Sequence, residues 1–301
     1  MKNSKSKPLV IVLLGPTASG KTELAIQIAQ ALKLDIHNID SRQIYKKMDI
    51  GTAKPSLEQQ KLIKHFLIDL TEPSEPMTLH QFQEEAMKSL QTNLKKQNIG
   101  FLVGGSGLYL KALISGLKPP EVAPQEELRN QLRSLDNEEC HELLKQCDPI
   151  AADKINVADS SRTIRALEVF YATGQTLSSQ QSSSPPPWEF IELGLNPENL
   201  HNRIIDRTRN IFKNGLIEET EALIKDFGKE LPLLQTIGYK EACNVIESKS
   251  SIEEAIDITT IRTNQFAKRQ RTWFKGQHKP KWLNAKNPLS EALSFIQNVI
   301  G

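Results

Sequence analysis

Gly15-Pro16-Thr17-Ala18-Ser19-Gly20-Lys21-Thr22 has two glycines with four residues between them, then Lys and a hydroxyl residue. This is the Walker A spacing. Before it runs Leu9-Val10-Ile11-Val12-Leu13-Leu14, an apolar, β-branched stretch that reads as a buried parallel strand. After it, Glu23 to Leu32 places apolar residues at helical spacing. Strand, glycine loop and helix is the context the motif requires; a chance glycine-rich turn would not carry both flanks. The amides of residues 17–22 can then face phosphate oxygens at the positive end of a helix dipole. Lys21 adds a mobile charge, and the Thr22 hydroxyl can ligate Mg²⁺. A di- or triphosphate is implied, without saying which.

The chain has 301 residues and a net charge of +2, enough for an α/β core plus one extra module. Bulk charge excludes nothing, but its distribution is uneven. Residues 260–286 hold Arg262, Lys268, Arg269, Arg271, Lys275, Lys279, Lys281 and Lys286 and no acid, whereas residues 120–150 are mainly acidic. A polyanion-facing surface near the C-terminus, or a merely solvated basic helix, would both produce this pattern. Cys140, Cys147 and Cys243 lack metal spacing and suit reduced thiols in a cytoplasmic protein. The apolar run after Met1–Lys7 is too short for a leader and continues into the glycine loop. No run approaches the ~20 residues of a membrane span, so no membrane partner is expected.

A second strand, 34–39, should end at Asp40-Ser41-Arg42-Gln43-Ile44-Tyr45. Ligands in open α/β sheets sit beyond the carboxyl ends of strands, which puts Asp40 near the glycine loop. Spacing alone leaves three roles for it: water-mediated Mg²⁺ ligand, general base, or helix cap. His65-Phe66-Leu67-Ile68-Asp69 has the look of a Walker B strand, with Asp69 as a metal-holding acid or a turn former. A helix over 84–96 leads to strand 99–103 and to Gly104-Gly105-Ser106-Gly107, where Ser106 is a site candidate.

From Lys118-Pro119-Pro120 the chain turns charged and helical, with two or three helices expected over 121–172. The Ser/Gln/Pro tract from Ser178 to Pro187 reads as a flexible linker. The organisation expected is a first core part (1–117), a helical insertion (118–190) and a second core part (191–301) ending in basic helices. The fold class is α/β: a P-loop NTPase-like parallel sheet flanked by helices, with a helical insertion domain. In the second core part a strand over 190–195 precedes a helix from Asn199, then a helix 216–227 between Gly215 and Gly228. The basic helix is expected over 261–274, with a short strand at Trp282 and a helix over 288–299.

With these pieces in order, the sequence resembles the tRNA dimethylallyltransferase (tRNA isopentenyltransferase) family over nearly its whole length. The carriers are the glycine loop, Asp40 to Tyr45, Asp49 to Pro55, Val103-Gly104-Gly105-Ser106-Gly107-Leu108-Tyr109, Arg162 to Val169, Gln235 to Lys240, and Lys268 to Phe274. Two positions depart: Ser106 stands where the family commonly has Thr, and Ser161 where it usually has Gln.

The resemblance implies transfer of a dimethylallyl group from dimethylallyl diphosphate to the exocyclic N6 amine of the adenosine 3′ of the anticodon in tRNA. Diphosphate leaves and N6-dimethylallyladenosine forms, with Mg²⁺ as cofactor and Thr22 as its protein ligand. It makes Asp40 the general base, Ser106 an orienting hydroxyl, and Arg207 a diphosphate-binding catalytic cation beside Gly15, Thr17, Ala18, Ser19, Gly20, Lys21 and Thr22. Contact with the anticodon stem-loop is implied for Asp40-Ser41-Arg42-Gln43, Ser106, Arg129, Ser161-Arg162-Thr163-Ile164-Arg165, Gln235-Thr236-Ile237-Gly238-Tyr239-Lys240 and Lys268-Arg269-Gln270-Arg271-Thr272-Trp273-Phe274-Lys275. A monomer is expected.

Two rivals follow from the residues alone. A small-molecule P-loop kinase using ATP would take Asp69 as its Walker B acid and the insertion as a lid, but has no need of a basic C-terminal helix. A non-catalytic RNA-binding module would leave Lys21 and Thr22 idle. No Asn-Lys-x-Asp or Asp-x-x-Gly follows the glycine loop, against a GTPase switch.

Overall fold

The strand Leu9–Leu14 (β1) is buried along its whole length, as six consecutive apolar residues require when helices cover both faces of a sheet. The computed structural model describes residues 7–300; the reading of Met1 to Ser6 as no leader lies outside the described residues. In chain order there follow helix α1 (Lys21–Leu32), β2 (Ile36–Ile39), α2 (Leu57–Leu62), β3 (His65–Phe66), α3 (Leu79–Gln97), β4 (Ile99–Gly104) and α4 (Gly107–Ser115). Next come β5 (Leu117–Lys118), α5 (Glu126–Arg133), α6 (Asn137–Cys147), α7 (Pro149–Lys154), α8 (Ser160–Thr173), α9 (Leu177–Gln180) and β6 (Ser182–Ser183). The chain closes with β7 (Glu189–Gly194), α10 (Leu200–Lys213), α11 (Leu216–Phe227), a 3-10 turn (Pro232–Gln235), α12 (Tyr239–Ile246), α13 (Ile252–Gln277), β8 (Lys281–Trp282) and α14 (Pro288–Ile300).

The chain divides into two compact units, one of Met1–Leu113 with Pro187–Gly301, the other Ile114–Pro186. The first holds a six-stranded sheet in the order β3-β2-β4-β1-β7-β8, parallel at every pairing. One face packs Ile11, Leu13, Phe101, Val103 and Leu193 against Leu24 and Ile28 of α1 and Ile296 of α14. β1 lies between β4 and β7, so the loops after all three open at one carboxyl edge, where such sheets take their ligands. Close approach there depends on Gly104: a Cβ on it would lie 2.0 Å from the Ile39 carbonyl oxygen.

The second unit is helical around Leu132, Cys140, Leu144, Ile164 and Leu167. Its centre also holds Glu168, whose carboxylate receives Arg129 on both oxygens (2.7 and 3.0 Å), Arg165, and the Gln125 amide at 2.7 Å. A buried carboxylate is tolerable only when satisfied in this way. Burial alone would raise its pKa; the two guanidiniums and the amide outweigh that and hold it below the usual carboxylate range.

The flexible linker expected over Ser178 to Pro187 is not what forms. The Asp148 carboxylate, almost fully buried, accepts from the Ser178 amide and hydroxyl at 2.9 and 2.6 Å. Ser182–Ser183 pairs antiparallel with Leu117–Lys118, and the Ser184 amide donates to Gly116 at 2.9 Å. Composition registers the polar, flexible side chains but not the distant partners that order them. Among the described residues no helix is long and apolar enough to cross a membrane, and all three cysteines are free.

Candidate active site

The glycine loop joins β1 to α1 as expected. Ala18 (φ 60°) and Gly20 (φ 93°) both adopt left-handed backbone, a conformation that costs an alanine about 1 kcal/mol. Arg203 of α10 holds this turn, its Nε donating to the Ala18 carbonyl at 2.9 Å. A Cβ on Gly20 would push against the same guanidinium at 2.7 Å, and it is the positive φ that calls for glycine there. α1 starts with no side-chain cap, which leaves its first amides and the positive dipole end available to an anion. Thr22 is exposed in that first turn.

Lys21 donates from Nζ to the Pro16 carbonyl at 2.7 Å. Burial of the ammonium end, then the nearby Arg207 guanidinium, push it down to about 7, against the opposing pull of the Asp40 carboxylate. Arg207, on α10, is likewise lowered by burial and raised by Asp40, and donates from Nη2 to the Thr52 carbonyl at 3.3 Å. Two cations and one carboxylate, each half-buried, thus act on each other. Their mutual repulsion, with a single carboxylate to offset it, makes an incoming anion the natural completion of the group.

Asp40 follows β2 directly. Its Oδ1 accepts from the Arg42 and Gln43 amides at 2.8 and 3.4 Å, and Oδ2 has no hydrogen-bond partner among the described residues. One oxygen therefore fixes the carboxylate while the other carries no hydrogen bond from the described residues. The Ser106 hydroxyl, at the end of β4, accepts from the Ser41 amide at 3.0 Å, so the two strand ends are tied at the residue beside Asp40. Tyr109 of α4, which sequence reasoning did not single out, is pushed up to about 12 by burial first and by neighbours including Asp40. Its sequence signal was position: it lies one helical turn beyond Ser106.

Asp69 does not take the Walker B role the kinase reading gave it. It lies just beyond β3, the edge strand, with β2 and β4 between that strand and β1. Its carboxylate is paired at 2.5 Å with Lys54, whose side chain is almost wholly buried. The run 65–69 supplies only a two-residue strand, and Asp69 itself turns left-handed (φ 53°).

The remaining site candidates divide by exposure into three sets. Exposed are Arg42, Gln235, Lys240, Lys268, Arg269, Thr272 and Lys275 on the sheet-bearing unit, and Ser161 and Arg162 on the helical unit. Ser41, Thr236, Ile237, Arg271 and Trp273 are half-buried. Buried are Gln43, Thr163, Ile164, Gly238, Tyr239, Gln270 and Phe274, and Arg129 and Arg165 are occupied by Glu168. Gln43 donates to the Thr52 and Ala53 carbonyls at 3.0 and 3.1 Å. Tyr239 donates to Glu219 at 2.7 Å, and that carboxylate also receives the amides of Asp49, Ile50 and Gly51 at 2.8–3.0 Å. Glu219 and Arg203 were not found from sequence, since each acts on a segment more than a hundred residues away.

Comparison with known proteins agrees with this geometry. A family model described as IPP transferase matches residues 43–277, a span that begins just after Asp40. Relatives of full length cover the rest: a tRNA dimethylallyltransferase of Prochlorococcus marinus is 66% identical over 295 residues, 98% of this chain and 99% of its own. The crystal structure of a tRNA delta(2)-isopentenylpyrophosphate transferase from Staphylococcus epidermidis is 32% identical, with a TM-score of 0.70 over 98% of this chain and 99% of that one. A eukaryotic dimethylallyltransferase captured in crystallographic snapshots acting on tRNA is 28% identical, with a TM-score of 0.79 over 96% of this chain and 80% of that one. The chain belongs to the IPP transferase family, the tRNA dimethylallyltransferases.

Proposed function

We propose that the chain moves the dimethylallyl group of dimethylallyl diphosphate onto N6 of the adenosine immediately 3′ of the anticodon in tRNA. What carries this is the convergence of Lys21, Arg207 and Asp40 at the mouth of the glycine loop. The amides of Ala18, Gly20, Lys21 and Thr22, with the Lys21 and Arg207 side chains, would bind the diphosphate and stabilise the charge that grows on it as its bond to the prenyl carbon breaks, the Thr17 and Ser19 amides being engaged within the protein. The new bond forms from N6 to that carbon. An adenine amine is a poor nucleophile because its lone pair is delocalised into the ring; the Asp40 carboxylate would take its proton, a contribution of roughly 10²–10⁴ in rate. Ser106 would orient the amine, and the adenine must leave its stack to reach it.

Mg²⁺ fits the residues present. Among the described residues no cluster of three or more His, Cys, Asp or Glu side chains could hold a metal, but Mg²⁺ needs only one or two protein ligands when phosphate and water supply the others. Thr22, exposed at the start of α1, is the ligand we assign, and bound Mg²⁺ would supply charge neutralisation on the diphosphate. For tRNA we assign phosphate-gripping roles to Arg42, Lys240, Lys268, Arg269 and Lys275, and on the other unit to Arg162.

Incubation with labelled dimethylallyl diphosphate, Mg²⁺ and unmodified tRNA, followed by phenol extraction, tests the reaction. Label retained in tRNA is the expected result. No label, together with micromolar ATP binding, would return the chain to the kinase reading.

A further inference from the structure

The underside of α13 touches the glycine loop, the turn after β4 and the loop after β7. Gln270, buried at 8% exposure, uses both ends of its amide. Its Oε1 accepts from the Thr17 amide in the glycine loop at 2.8 Å, and its Nε2 donates to the Gly105 carbonyl, beside Ser106, at 2.8 Å. One turn on, the Trp273 indole lies so close to Gly107 that a Cβ there would sit 2.2 Å from the ring. Between them, Arg271 donates from Nε to the Asn196 side chain at 2.7 Å and from Nη2 to the Pro197 carbonyl at 3.4 Å, in the loop after β7. The opposite face of the same stretch exposes Lys268, Arg269, Thr272 and Lys275.

We infer that Gln270 is a positioning residue, not a tRNA contact: it holds the loop that binds the leaving diphosphate in register with the turn that presents Ser106 and, through the Ser41 amide, Asp40. The group-transfer geometry depends on both loops at once, and a misplacement of about 1 Å between them is enough to cost on the order of 10²-fold in rate. An amide side chain suits the task because it offers one acceptor and one donor in a rigid plane. A tether on the helix that also carries the basic face means that tRNA seated on that face bears on the helix aligning the two halves of the site. The inference rests on the proposed roles of the glycine loop and Asp40.

Two substitutions break the same tie from opposite ends. Gln270→Met keeps the length and removes both hydrogen bonds. Gly105→Ala places a Cβ 2.7 Å from Gln270 Nε2 and only 3.3 Å from the Gly15 carbonyl oxygen, so it displaces the amide without touching tRNA-facing surface. Each variant should lower kcat roughly 10–10²-fold with tRNA Kd within about twofold of the parent, as expected when no phosphate contact is lost. The double variant should be no slower than the slower single one, because both remove one interaction. Hydrogen exchange of residues 15–22 in the free protein should quicken in both variants, a readout that needs no reaction. Multiplicative losses in the double variant, or tRNA affinity falling in step with kcat, would overturn the inference. So would unaltered exchange together with parental kcat. A parent chain that transfers no label would instead overturn the proposed reaction, with the exchange result still deciding the tether.

Discussion

Replacing Glu219 by Gln removes one charge from a carboxylate that organises the loop beneath Arg207. That carboxylate accepts the amides of Asp49 and Ile50 on Oε2, and the Gly51 amide and Tyr239 hydroxyl on Oε1. In Glu219→Gln the carbonyl oxygen can keep the Asp49 and Ile50 amides. The new NH₂ can satisfy Tyr239 by a turn of its hydroxyl, but it faces the Gly51 amide donor to donor. Loss of charge assistance on two bonds is about 1 kcal/mol each, and one partly buried amide left unpaired adds about 1 more. The sum is about 3 kcal/mol, a fall in Tm of roughly 6–12 °C for a unit of this size. The loop ends at Thr52, whose carbonyl accepts from both Arg207 and Gln43. Once it loosens, Arg207 loses its anchor, and kcat should fall about tenfold with it. Differential scanning calorimetry beside steady-state transfer assays reads both effects. A Tm within ~1 °C of the parent would refute the loop-holding role, and a destabilised variant of unaltered kcat would refute the path from loop to Arg207.

Acid should unfold this protein partly through His37. The ring is fully buried in β2, stacked on Phe66 at 4.8 Å, and burial pushes it down to about 4, the carbonyls of Phe101 and Ser89 offsetting this only in part. The unfolded chain therefore binds the extra proton first, and stability falls as pH drops from about 6.5 towards 4, by roughly 3 kcal/mol across that window. Urea unfolding at pH 7, 5 and 4 should show the slope, and His37→Phe should flatten it; an equally steep variant would remove His37 as the cause. Neutralising Lys268, Arg269 and Lys275 together should weaken tRNA binding and lower the slope of log affinity against log salt by roughly 2–3. An unaltered slope would leave that face as solvated surface.

The core of this architecture is legible because its determinants are local. Leu9–Leu14, the glycine loop and α1 can be read from six apolar residues, a motif and a helical period. Gly215 and Gly228 bracket α11 with left-handed and extended-positive backbone (φ 104° and 84°) as their type suggests. The sequence also marks the start of α13: Ser251 and Glu254 form a capping box that begins the helix at Ile252, nine residues before the expected beginning at Ile261. What could not be read depends on distant partners. Asp69 resembles a metal-holding strand end until Lys54 pairs with it. Arg129 and Arg165 look like solvent-facing cations until Glu168, between them in space, is found to have no exposure. Gln270 sits in a basic run whose charge conceals that its amide points inward. In each case residue type shows what a side chain can do, and the fold decides which partner it meets.

The central claim is that Asp40 accepts the N6 proton at a site whose cations hold the diphosphate, and single-turnover transfer by Asp40→Ala tests it most directly. With labelled dimethylallyl diphosphate and tRNA both saturating, the rate should fall at least ~10²-fold while tRNA Kd, measured by filter binding, stays near the parent value. Transfer at the parental rate would contradict the account and remove Asp40 as the base.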